Sequence, residues 1–94
     1  MKSRTLNFPN PSRSYDEVSH VIRFWGYDLA IEISFFIDQS ALSKIRPETK
    51  LTETEMLNTF DLHRDQICEA ANNIYSRRGD NPHTFSYTLT SSNF

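Results

Sequence analysis

The alternation of apolar and polar positions in the first half of the chain predicts a pair of strands. From Asp16 to Trp25 the residues Val18, Ile22 and Phe24 share one parity, and from Leu29 to Ile37 the residues Ile31, Ile33, Phe35 and Ile37 do the same. Runs rich in β-branched and aromatic residues with this period read as half-buried strands. Gly26-Tyr27 lies between them, with glycine first, as a two-residue hairpin turn prefers. Pairing Trp25 with Asp28 across that turn sets Phe24 opposite Leu29, Ile22 opposite Ile31, His20 opposite Ile33 and Val18 opposite Phe35. One face is then almost wholly apolar, and Ile22, Phe24, Ile31, Ile33 and Phe35 form the expected core. The reverse face carries Ser19, Val21, Arg23 and Trp25 against Ser34, Glu32, Ala30 and Asp28, and a one-residue slip would mix the two sets.

Two further strands are expected at the ends of the chain. Leu6 and Phe8 alternate with polar neighbours before Pro9-Asn10-Pro11 ends the run, as suits an edge strand. Phe85, Tyr87 and Leu89 alternate with Thr84, Ser86, Thr88 and Thr90 in a final strand. Between the hairpin and that strand the period changes. Asp38 is placed to cap a short helix over 39–45, which Pro47 stops. Thr52 and Glu55 make a capping box for a helix running to about Arg78, where Gly79 and Pro82 end it. Such a helix has about 25 residues and is roughly 38 Å long. Met56, Leu57, Phe60, Ile67, Ala71, Ile74 and Tyr75 fall on one stripe of it, with Cys68 and Ala70 at the margins. The expected architecture is α+β: one domain over residues 1–94, an antiparallel sheet of about four strands, one long helix on one face and one short helix.

Composition narrows the class. At 94 residues there is room for one modest core, and hydrophobic residues at 37% with seven Phe, four Tyr and one Trp are enough to build it. A net charge of −2, from ten basic and twelve acidic residues dispersed along the chain, gives no broad field for nucleic acid or anionic lipid. No run is apolar enough for a signal peptide or a membrane span, which points to a cytoplasmic protein with no membrane partner. Cys68 stands alone, so neither an internal disulfide nor a multi-cysteine metal site is expected.

Five short pieces carry a family resemblance: Leu6-Asn7-Phe8-Pro9, Arg13-Ser14-Tyr15-Asp16, Arg23-Phe24-Trp25-Gly26-Tyr27-Asp28, Ala41-Leu42 and Phe60-Asp61-Leu62-His63-Arg64. In this order, over nearly the whole chain, they resemble a family of short bacterial proteins catalogued as domain of unknown function 1488. The resemblance implies a shared fold and a bacterial origin. It transfers no activity.

The chemistry-bearing residues are few. Arg64 falls in the apolar stripe of the long helix, where a guanidinium must reach solvent or meet a carboxylate. Asp16 shares the parity of Val18 and Ile22, so Asp16, His20 and Arg64 are expected to gather as a polar cluster under the helix, with Asp16 pairing Arg64. A structural ion pair is the simpler account of such a cluster, and a pocket the functional one. His20, His63 and His83 lie on different elements at no ligand spacing to Cys68, so no metal or cofactor is expected. Cys68 reads as a small buried hydrophobe. With only Gly26 and Gly79 the chain has no phosphate-binding glycine loop, and it has no Ser-centred elbow, so catalysis is disfavoured.

The reverse face of the hairpin, with Val21, Arg23, Trp25 and Phe36, is the expected interface. One helix covers one face of a sheet, and an Arg beside an exposed Trp is a common composition for a protein contact. The expected function is therefore a non-catalytic interaction or regulatory module acting as a homodimer. A nucleic-acid-binding transcriptional regulator is the alternative, weakened by Glu32 and Asp28 on the same face; a small enzyme is a third reading.

Overall fold

The structure is a computed structural model that describes residues 6–9, 13–77 and 86–94. Four strands form one sheet in the order β1-β2-β3-β4: β1 is Ser14–Asp16, β2 Val21–Asp28, β3 Ile31–Asp38 and β4 Ser86–Leu89. Helices α1 (Gln39–Ile45), α2 (Glu53–Leu62) and α3 (Arg64–Ser76) lie between β3 and β4, and a 3₁₀ turn spans Ser91–Asn93. The fold is α+β, as the periodicities indicate.

The hairpin forms with its turn displaced. Asp28 pairs with Ile31, so Leu29 and Ala30 make the turn and Phe24 faces Phe35 rather than Leu29. The pairing has moved by six residues, an even number, so the faces are not exchanged. Ile22, Phe24, Ile33, Phe35 and Ile37 are fully buried. Ile31 is the exception: it is the first residue of β3, beside the turn, and is 50% exposed.

Tertiary contacts explain why Gly26-Tyr27 does not turn. Gly26 is a buried strand residue, and a Cβ placed on it would lie 2.7 Å from the Phe8 ring. The glycine is a seat for Phe8, whose ring centroid is 6.1 Å from those of both Phe24 and Phe35. The turn instead falls on Leu29, at a φ of 57°, a left-handed conformation that costs a non-glycine residue roughly 1–2 kcal/mol.

The expected strand around Leu6 and Phe8 reduces to one bridge, Asn7 to Tyr27, with backbone hydrogen bonds of 2.9 and 2.8 Å. The edge strand proper is β1, paired antiparallel to β2. Both segments run along the same side of β2, separated by the proline-containing stretch. Leu6 and Phe8 still point into the core, and Leu6 N–H donates to Asn72 Oδ1 at 2.9 Å.

The sheet is mixed, not antiparallel throughout. β4 pairs with β3 in parallel, Phe35 opposite Tyr87 and Ile37 opposite Leu89. A helical crossover from β3 to β4 returns the chain to the end of the sheet where β3 began, and a strand entering there runs parallel to it.

The single long helix is two helices. α2 ends at His63, which has φ −117° and ψ 27°, and α3 starts at Arg64. Neither glycine nor proline marks the break. Its physical reason is length: a straight helix of roughly 38 Å overruns an eight-residue strand of about 27 Å, whereas a bend keeps both halves on the core. Phe60 of α2 meets Phe24 edge-on at 5.1 Å, and Ile67, Ala71 and Tyr75 of α3 join the same buried cluster. Asp38 caps α1 as expected, its Oδ1 accepting from Ala41 N–H at 2.9 Å, and the Thr52 half of the expected capping box forms, its Oγ1 accepting from Glu55 N–H at 3.3 Å. The expected residues Arg78, Gly79, Pro82, His83 and Phe85 lie outside the described residues.

Candidate interaction surface

The register that buries Phe24 and Phe35 on one side presents a second set of side chains on the other. Val21 stands opposite Asp38, Arg23 opposite Phe36, Trp25 opposite Ser34 and Tyr27 opposite Glu32. Glu32 is exposed and the other seven are partly exposed. β1 adds Ser14 and Asp16 on one flank, and β4 adds Ser86 and Thr88 on the other, all exposed. Val21, Trp25, Tyr27 and Phe36 thus alternate with Arg23, Glu32, Ser34 and Asp38 on this face, and short polar residues flank it. Phe60 of α2, Ile67, Ala71 and Tyr75 of α3, and Leu6 and Phe8 join the Phe24 and Phe35 core, while Leu62 of α2 is exposed.

Arg23 organises this face. Its guanidinium carbon lies 4.7 Å from the Trp25 ring centroid, while Nη2 donates to Glu32 Oε2 at 2.8 Å and to Ser34 Oγ at 2.9 Å. With side chains 34% and 47% exposed, the Arg23–Glu32 pair is worth about 0–1 kcal/mol. Its effect is geometric: it holds the guanidinium over the indole and occupies one of its donor edges. Val21, Arg23, Trp25 and Phe36 therefore share one surface, as strand parity requires, although the cross-strand partners of Val21, Arg23 and Trp25 lie six residues on from those expected.

The expected polar cluster is not assembled. Asp16 lies on the reverse-face side of β1, opposite Val21, because Tyr15 rather than Asp16 pairs with Ile22. Its Oδ1 accepts from Val18 and Ser19 N–H and its Oδ2 from Ser19 Oγ. Those bonds, the one to Val18 N–H foremost, lower its pKa; Arg64 is not among the causes. His20, at φ 56° in the same turn, has Nδ1 3.0 Å from Tyr15 Oη, and Val18 beside it is 90% exposed. Strand parity fails here because β2 begins only at Val21, so residues 17–20 are turn and carry no face. Arg64 opens α3, partly buried, with its guanidinium carbon 5.3 Å from the Phe60 ring centroid. No ion pair joins Asp16 to Arg64. Asp61 pairs instead with Arg13, through a double contact of 2.9 and 2.8 Å that raises the Arg13 pKa.

A shallow hollow lies at the α2–α3 bend, lined by Asp61, Leu62, His63, Arg64, Asp65 and Gln66. Cys68 is partly buried, and burial pushes its thiol pKa up against the opposing pull of Arg64, which disfavours the thiolate. Among the described residues no three His, Cys, Asp or Glu side chains gather as metal ligands. No helix among them is long and apolar enough to cross a membrane.

One polar contact escapes strand-parity reasoning from the displaced register. Asp28, expected on the reverse face, is 9% exposed at the end of β2 with the parity of Phe24, and accepts from Tyr75 Oη at 2.5 Å. The signal for it is the placement of the turn, since moving the turn past Asp28 moves that residue to the core side.

The fold has a solved counterpart. The crystal structure of a protein of unknown function from the DUF1488 family of Shewanella loihica PV-4 superposes with a TM-score of 0.77, covering 95% of this chain and 96% of that one. At 17% sequence identity the likeness establishes the fold. No curated protein matches the chain. The family model for the protein of unknown function DUF1488 matches residues 6–86, nearly the full length, and the chain belongs to that family.

Proposed function

We propose that this chain is a single-domain, non-catalytic interaction or regulatory module of the bacterial cytoplasm, acting as a homodimer through the open face of β2 and β3. The observation that carries the reading is the asymmetry of the sheet. Every apolar residue of the helices and of the Leu6–Phe8 segment that reaches the core lies on one side, while Trp25, Phe36 and Val21 sit on the other under partial exposure.

The dimensions suit a weak, reversible contact with a second copy. Two strands of eight residues flanked by strands of three and four give a face of roughly 350–400 Å² in projection. Two such faces, with their side chains, remove about 800–1,000 Å² from water, the size of a transient interface. A two-fold contact is self-complementary by construction and brings the Trp25 and Phe36 patches together at the axis.

The alternative, a nucleic-acid-binding regulator, draws on Arg23 beside Trp25, a pair suited to stacking a base. Glu32 holds Arg23, and Asp38 and Asp16 border the same face, so phosphates meet three carboxylates and one guanidinium. That balance favours a protein partner. Light scattering over a concentration series tests the proposal: Phe36→Ser, on the open face, shifts the dimer toward monomer, and retention on DNA or RNA that falls steeply with salt supports the alternative instead.

A further inference from the structure

We draw no further inference here: the strongest candidate, the hairpin tip at which Leu29 in a left-handed conformation and Ile31 stand exposed, carries nothing because nothing in the structure shows what covers it.

Discussion

The Tyr75 hydroxyl donates to the Asp28 carboxylate across 2.5 Å, joining the last turn of α3 to the end of β2 in a setting where Tyr75 is only 3% exposed. A buried hydrogen bond to a carboxylate contributes about 1.5–3 kcal/mol. Tyr75→Phe is expected to lower stability by that amount in urea titration. In a double-mutant cycle with Asp28→Ala the two losses are expected not to add, with a coupling of about 0.5–3 kcal/mol. Strict additivity contradicts the contact.

Gly26 and Phe8 give a second prediction. A methyl group at residue 26 would lie 2.7 Å from the Phe8 ring. Gly26→Ala therefore forces the ring off its seat, with an expected loss of about 1–3 kcal/mol, as for other overpacked cores. Gly26→Ala combined with Phe8→Leu should recover part of that loss, because the smaller side chain vacates the contact. A Gly26→Ala protein as stable as the parent would mean that the residue serves no packing role.

The turn residue Leu29 predicts a gain rather than a loss. It holds a positive φ of 57° with its side chain 95% exposed, so it carries the backbone cost of the left-handed region and contributes little burial. Leu29→Gly relieves that cost while adding flexibility to the unfolded chain, and Leu29→Asn relieves part of it without glycine's entropy. Thermal melts are expected to show a stability equal to the parent or up to about 1 kcal/mol higher. A clear loss in both variants would show that the Leu29 side chain makes contacts that offset its strain.

What the sequence made legible, and what it hid, divides by range. Phe24, Phe35, Ile22 and Ile33 fall on the core face because strand parity is local and survives an even shift of register. The turn is misplaced because Gly26 and Tyr27 satisfy local turn chemistry better than Leu29 and Ala30, and the packing of Phe8 on Gly26 and of Tyr75 on Asp28 overrides it. His63 carries no helix-breaking chemistry, so the division between α2 and α3 has no local sign. The parallel pairing of β4 depends on where the crossover delivers the chain, which periodicity does not encode. On the open face, Val21, Arg23, Trp25 and Phe36 were legible for the same reason as the core. Asp16, His20 and Arg64 were not, because the expected grouping extended strand parity through a turn.

Cys68 supplies a prediction with a pH dependence. Burial raises its thiol pKa in the folded state. The native protein should react with a thiol reagent at pH 8 more slowly than the urea-unfolded chain, in which the thiol ionises at its ordinary value near 8.5. The linkage has the sign of a raised folded pKa: the contribution to stability is complete below the unfolded pKa and is lost as pH rises through the folded one. Equal reaction rates in the two states would contradict the burial.

The homodimer proposed for the open sheet face, centred on Trp25, is read by sedimentation equilibrium at tens of micromolar. The parent protein is expected to sediment as a dimer. Trp25→Ala should sediment as a monomer with an unchanged far-ultraviolet circular dichroism spectrum, since Trp25 lies on the face away from the Phe24 and Phe35 core. A parent protein that is strictly monomeric, or a dimer whose dissociation is unaffected by Trp25→Ala, would contradict it.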